Sequence, residues 1–262
     1  MTIRDITTCI EEIAPLNYAE GFDNVGLLIG NYTTKVSGVI VTLDTLENVV
    51  DEAIEKKCNL IVSFHPIIFS GLKKLNGKNY VERVVLKAIK NDIAIYAIHT
   101  ALDNSFQGVN AKICEILGLQ NKKILIPQKN TIKKLTTYAP KDNAEEVRLA
   151  LFQAGAGNIG NYDNCSYNTE GFGTYRGNED SNPTIGIKGE VHTEKETFIS
   201  VIFEKHNEKS ILTALFNAHP YEEVAYEINT IENKNQDIGM GMIGELEKEM
   251  DEKHFLKYVK SQ

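Results

Sequence analysis

Histidine and aspartate residues follow three strand-like runs in the first half of the sequence. His65 and Pro66 come directly after NLIVSF, and Asp44 is the last residue of GVIVTLD. His99 and Asp103 belong to the HTALD segment, which directly follows IAIYAI. Imidazole nitrogens and carboxylate oxygens are ligands that zinc, manganese and iron accept from proteins. A metal held in this way lowers the pKa of bound water, which permits hydrolysis at neutral pH.

The same residues also have a structural interpretation. His65 can cap a turn before Pro66, and the side chains of His99 and Asp103 can hydrogen-bond to the backbone. Asp44 can hydrogen-bond a ligand or a metal-binding residue without touching a metal. Residue type and spacing alone leave these alternatives open.

The elements that must position these residues alternate between strand and helix over roughly the first 120 residues. The pattern predicts strands at 24–30, 38–44, 59–64 and 93–99, and helices at 1–13, 45–57, 79–91 and 108–118. The runs VIV and LIV are apolar at consecutive positions, which indicates strands covered on both faces and a largely parallel sheet. Ligands of such sheets collect at the carboxyl ends of the strands. We therefore expect Asp44, His65 and His99 at one edge.

The periodicity changes in the second half of the chain. Segment 121–130 is predicted to be a linker, because Pro127 and the surrounding Lys and Asn residues interrupt both patterns. Residues 131–231 follow the order strand, helix, strand, strand, helix, strand, which is typical of a ferredoxin-like domain. We predict an α/β domain with a largely parallel or mixed sheet flanked by helices, whose N-terminal part is 1–125. The ferredoxin-like α+β domain is inserted behind it, and 239–262 begins the return to the first domain.

Composition and charge narrow the classes of function. The chain has 262 residues, 42% of them hydrophobic, and a formal net charge of −8, which disfavours nucleic acid and suits small or cationic ligands. No apolar run reaches the roughly 20 residues of a membrane span. The N-terminus also lacks the layout of a signal peptide, so we expect a cytoplasmic protein without a membrane partner. The four cysteines lie far apart and are expected to be buried thiols.

Three further motifs each allow two interpretations. Asp23 and Asn24 can line the site, but an Asx-type turn is favoured. The GAGNIG run at 155–160 follows a predicted helix, which favours a helix C-terminus over a phosphate-binding loop. For HPYEE at 219–223 we favour a helix stop at Pro220, with the charges turned to solvent, over a binding cluster.

Longer motifs resemble the GTP cyclohydrolase I type 2 homologues, also described as Nif-three-like dinuclear metal-centre proteins. Three N-terminal segments carry the similarity: IAPLNYAEGFDNVGLLIG (13–30), SFHPIIFSGLKKLNG (63–77) and IYAIHTALDNSFQGVN (95–110). Three later segments resemble the PII-like or CutA-like insert of the longer members: 154–167, 170–177 and 218–228. The resemblance covers nearly the whole chain.

This resemblance implies two metal ions held by two adjacent histidines, the aspartate of a His-Thr-x-x-Asp motif, and a His and a Glu near the C-terminus. His65 corresponds to the second adjacent histidine and Asp103 to the aspartate, whereas the first histidine corresponds to Phe64, which cannot bind a metal. His254 comes too early to be the later histidine, so we expect the C-terminal part of the family fold to be missing. His65 and Asp103, with His99 as a third candidate, are too few ligands for tight binding of two ions.

The resemblance also implies a function. We expect a metal-binding protein, with hydrolysis of a nucleotide such as GTP as its activity. Zinc is the first candidate ion, with manganese and iron as alternatives, and His99 would act as the catalytic proton carrier. The alternative is a non-catalytic regulatory or scaffold protein whose PII-like domain senses a small ligand. Family membership further implies a homo-oligomer, a toroidal hexamer.

Overall fold

Two buried runs, LIVS and AIYA, form the centre of the first sheet. A computed structural model describes residues 1–262, and in it every residue of β3 (Leu60–Ser63) and β4 (Ala94–Ala97) is buried. These strands are parallel to each other, β2 (Val39–Thr42) is parallel to β3, and β1 (Gly26–Ile29) pairs antiparallel with β4. The strand order is β1-β4-β3-β2. The predicted α/β fold with a mixed sheet is therefore confirmed.

Helices cover both faces of the central strands. They are α1 (Ile3–Ile13), α2 (Glu47–Glu55), α3 (Tyr80–Lys90), α4 (His99–Asn104) and α5 (Val109–Ile116). Ile3 of α1 belongs to one core cluster with Leu60, and Val84 of α3 belongs to another with Ile61. Since successive residues of a strand point to opposite faces, the two clusters lie on opposite sides of the sheet. The strand ends that carry the polar residues are thereby held on a rigid base.

Residues 121–130 were predicted to be a linker, and this prediction is wrong. Strand β5 (Gln120–Pro127) occupies most of the segment and pairs antiparallel with β10 (Gly239–Glu245). Pro127 lies opposite Gly239 at the end of this ladder, where the missing proline N–H is tolerated. The local pattern did not reveal β5 because its only partner lies far along the chain. Helix α8 (Glu252–Ser261) follows β10 and is N-capped by Asp251.

The chain divides into two compact units. One consists of Met1–Pro127 and Gln236–Gln262, and the other of Gln128–Asn235. The second unit contains β6 (Ile132–Pro140), α6 (Ala144–Gln153), β7 (Tyr167–Tyr175), β8 (His192–Glu204), α7 (Glu208–Ala218) and β9 (Tyr226–Ile231). Its strands are antiparallel in the order β7-β8-β6-β9, which is the ferredoxin-like arrangement. Leu135, Leu151 and Leu215 belong to its own hydrophobic core.

Two expectations about burial are wrong. Strand β2 lies at the edge of its sheet and Val41 is 80% exposed, so the VIV run is not covered on both faces. Among the cysteines, Cys114 is buried, whereas Cys9 is exposed and the other two are half-buried. None of the helices combines the length and the apolar content that a membrane crossing requires.

Candidate metal site

The parallel strands bring Asp44, His65 and His99 to one edge of the sheet. Thr42, Ser63 and Ala97, the last residues of the three strands, are in register with one another, and each candidate residue follows two positions later. The strand pairing also continues beyond the strand ends. The N–H of His65 donates to the carbonyl of Leu43 at 2.9 Å, and the N–H of His99 donates to the carbonyl of Phe64 at 2.9 Å.

The two imidazole rings pack edge to face at this edge of the sheet. Their centroids are 5.4 Å apart and their planes are inclined by 74°. The ring of Phe64 packs edge-on against both, at 5.0 Å from His65 and 5.5 Å from His99. Phe64 therefore contributes an apolar wall that restricts the orientation of both histidines.

An aspartate engages the same nitrogen on each histidine. Nδ1 of His65 lies 2.7 Å from a carboxylate oxygen of Asp44, and Nδ1 of His99 lies 2.9 Å from one of Asp23. Because a carboxylate accepts hydrogen bonds, both Nδ1 atoms carry a proton, and in the neutral rings both Nε2 atoms keep their lone pairs. This pairing with a carboxylate is also what orients histidines that bind metals.

Asp23 is the most enclosed member of the group. Its side chain is 0% exposed, and it accepts hydrogen bonds from His99, from the Thr100 hydroxyl, and from the backbone N–H groups of Asn24 and Thr100. Burial by itself would raise the pKa of Asp23, but these hydrogen bonds outweigh it and hold the pKa below the ordinary value. Asp23 thus remains a buried anion, and it fixes the orientation of the His99 ring.

Asp103 lies one helical turn after His99 on α4 and is half-buried. Its pKa is raised, chiefly by burial and also by the charge of Asp23, while His99 and His65 act in the opposite direction. Its carboxylate therefore lies within electrostatic range of both imidazoles. The carboxylate accepts no hydrogen bond, and the side-chain amide of Asn110 donates to the backbone carbonyl of Asp103 at 3.0 Å.

The backbone at His99 adopts an unusual conformation. Its φ angle is +30°, in the region that residues other than glycine rarely occupy. The hydrogen bonds of its ring to Asp23 and of its N–H to Phe64 hold it there. Local strain of this kind concentrates at functional sites, where the surrounding contacts sustain it.

The chemistry of these donors fits a divalent metal, although the ligand set is small. Two imidazole Nε2 atoms and one carboxylate without a hydrogen bond are suitable ligands for zinc, manganese or iron. No three His, Cys, Asp or Glu side chains of the chain lie in an arrangement that could hold an ion without movement. A metal at this edge would therefore be bound by fewer protein ligands than the three of an ordinary catalytic zinc site.

A comparison with sequence families identifies the family to which the chain belongs. A sequence model of the Duf34/NIF3 (NGG1p interacting factor 3) family matches residues 1–262. The chain belongs to the DUF34/NIF3 family. This membership confirms the resemblance that the sequence motifs indicated.

Individual relatives of the DUF34/NIF3 chain agree with this assignment. It is 41% identical over 258 residues to a GTP cyclohydrolase 1 type 2 homolog of Bacillus subtilis, covering 98% of this chain and 69% of the relative. A homolog from Staphylococcus aureus strain N315 is 35% identical over 262 residues, covering 100% of this chain and 71% of the relative. A Bacillus cereus protein related to NIF3 has a solved structure with a TM-score of 0.84 and 39% identity, covering 100% of this chain and 70% of that one.

Sequence reasoning and structure differ most at Asp23. The pair Asp23 and Asn24 was interpreted as a turn that leads into a strand, whereas the Asp23 carboxylate lies in the site and holds His99. Asp44 pairs with His65, as one of its two interpretations suggested. His254 pairs with Asp251 at the start of α8 and has no second histidine ring beside it.

Proposed function

We propose that this DUF34/NIF3 chain binds a divalent metal ion at the edge formed by His65, His99 and Asp103, and that it hydrolyses a nucleotide there. The observation that supports the proposal is the pair of adjacent imidazoles in an edge-to-face arrangement, each with Nδ1 engaged by its own aspartate. His65 Nε2 and the Asp103 carboxylate are the proposed ligands. A divalent ion bound to them would supply the Lewis acidity that activates water at neutral pH.

His99 is the proposed proton carrier beside the metal. Its ring is 19% exposed and its aspartate 0% exposed, whereas the His65 ring and its aspartate are 45% and 52% exposed. A buried anion on Nδ1 fixes the tautomer of His99 and stabilises the ring when Nε2 takes up a proton. This combination suits proton transfer better than the solvent-screened pair at His65.

The names of the relatives support the choice of substrate class. They bear the name GTP cyclohydrolase 1 type 2 homolog, and a cyclohydrolase of this kind adds water to the imidazole ring of guanine. In this proposal the Asp23 and Asp44 carboxylates orient the two histidines, and His99 exchanges the proton of the attacking water. GTP is therefore the first nucleotide to test.

The test measures metal affinity and GTP turnover in the same variants. His65→Ala should weaken zinc or manganese binding by about 10-fold or more, because it removes a ligand, and should abolish turnover. His99→Ala should keep the metal affinity within about 3-fold and lose turnover, because removing a proton carrier typically costs about 10²–10⁴-fold in rate. Isothermal titration and product analysis by chromatography give the two readouts.

His254→Ala is the matched control, because His254 also pairs with an aspartate through Nδ1 but has no second imidazole beside it. It should leave both readouts unchanged. Equal metal affinity in wild type, His65→Ala and His254→Ala would contradict the metal site. Normal metal binding without any GTP turnover would contradict the hydrolase, and a loss of metal binding in His99→Ala would make His99 a ligand and not a proton carrier.

A further inference from the structure

The ferredoxin-like unit contains a large cavity that is separate from the candidate metal site. Its volume is about 1110 Å³, and it is lined by residues of β7, the segment after β7, β8 and the HPYEE motif. Cavities of several hundred cubic ångströms are typical of sites for small ligands. All of its lining residues belong to the second unit.

Aromatic rings and carboxylates together line this cavity. Tyr138, Phe172, Tyr175, Phe198 and Tyr221 provide the rings. Five acidic residues but only one basic residue, Arg176, complete the charged part of the lining. The ring faces and the carboxylates both attract cations, whereas they repel phosphates.

Glu196 is the central carboxylate of the cavity. It accepts a hydrogen bond from the Tyr221 hydroxyl at 3.0 Å and has no lysine, arginine or histidine within ion-pair distance. Its other oxygen lies against Gly173, where a Cβ atom would come within 2.0 Å of it. Gly173 therefore provides the space in which a half-buried, unneutralised carboxylate faces the cavity.

The HPYEE motif positions one wall of the same cavity. The helix ends at Ala218, and Glu222 and Glu223 are exposed, as sequence reasoning predicted, but His219 is only 6% exposed. The Tyr221 N–H donates to His219 Nδ1 at 3.2 Å, so the proton is on Nε2, which donates to the Tyr138 carbonyl at 3.0 Å. Burial lowers the pKa of His219, which favours this neutral form. His219 thus connects two aromatic residues of the lining.

We propose that this cavity binds a small organic cation with amino or guanidino groups on an aliphatic chain. Glu196 anchors one cationic group, and the rings of Tyr175 and Tyr221, with centroids 5.8 Å apart, lie beside it. Glu223, an exposed carboxylate of the lining, serves a second cationic group of the ligand. Two carboxylates in one lining suit a ligand that carries two positive charges.

Calorimetric titration of the full chain with cadaverine, which carries two amino groups, tests the proposal. Pentanediol, the uncharged diol of the same chain length, and ATP are the control ligands. Cadaverine should bind, its affinity should fall as salt is raised, and neither control ligand should bind. Equal binding of diol and diamine, or binding of ATP alone, would overturn the proposal.

Two variants locate the site. Glu196→Gln should weaken cadaverine binding by about 10-fold or more. Glu223→Gln should weaken it by about 3-fold or more, and because Glu223 is exposed, this substitution should disturb folding little. Glu145→Gln on α6, outside the cavity, should match wild type, and so should His65→Ala, because its site is separate. Wild-type affinity in both Glu196→Gln and Glu223→Gln would refute the assignment, whatever happens to metal binding.

Discussion

At the scale of single residues, the two histidine–aspartate pairs look alike in distance but differ in their surroundings. Asp23 is enclosed and accepts hydrogen bonds from His99, Thr100 and Asn24. Asp44 is half exposed and its carboxylate pairs with His65. A charge in water gains little from one partner, whereas a buried charge depends on all of them. The two aspartates should therefore respond differently to the same substitution.

We expect Asp23→Asn to reduce the free energy of unfolding by about 1–3 kcal/mol. An amide has one acceptor oxygen in place of two, so at least one buried donor loses its partner. Asp44→Asn, the matched control, should change stability by less than about 0.5 kcal/mol. Urea unfolding followed by circular dichroism measures both. Equal effects of the two substitutions would show that the burial of Asp23 does not determine its contribution.

The sequence alone could identify part of this site. The positions of His65 and His99 at one edge were predicted because both follow apolar runs that indicate parallel strands. Asp23 was assigned to a turn because its hydrogen bonds to His99 and Thr100 cross 76 and 77 residues of sequence. Contacts over such separations depend on the packed fold, and local patterns do not encode them.

At the scale of elements, the strands and helices with strong periodicity were predicted well, whereas β5 was not, because its segment was predicted to be a linker. In β5 only Ile124 is buried, so the strand shows no apolar alternation. Its backbone is nevertheless satisfied by β10, and its position is set by that ladder. The position of β5 therefore depends more on its close approach to β10 than on the hydrophobicity of its side chains.

Gly239 tests this interpretation. A Cβ atom at this position would come within 2.3 Å of the Ile126 carbonyl oxygen and 2.5 Å of Ile124 Cγ2. Gly239→Ala should therefore separate β10 from β5 locally and lower the free energy of unfolding by about 1–3 kcal/mol. Gly21→Ala, where nothing lies within 4 Å of the added atom, is the control and should be nearly neutral. Urea unfolding measures both variants, and an unchanged Gly239→Ala protein would show that the ladder tolerates the displacement.

At the scale of the whole molecule, each unit has its own sheets and its own hydrophobic clusters. The second unit is one continuous segment. Ile132 at its beginning pairs with Ile231 near its end, so the two ends of the segment are adjacent in space. The first unit consists of two segments, and its chain can be rejoined where Pro127 pairs with Gly239. Both features are typical of an inserted domain that folds as an independent unit.

Removal of the second unit tests this independence. We expect that replacing residues 128–235 with a short Gly and Asn turn will leave the first unit folded, because adjacent antiparallel strands need only a few residues to connect them. The shortened protein should keep the metal affinity of the full chain and lose cadaverine binding, since the two proposed sites belong to different units. Residues 128–235 expressed alone should fold and bind cadaverine. Circular dichroism measures the folding of both proteins, and calorimetric titration measures their binding. A shortened protein that folds but no longer binds metal would show that the metal site depends on the second unit.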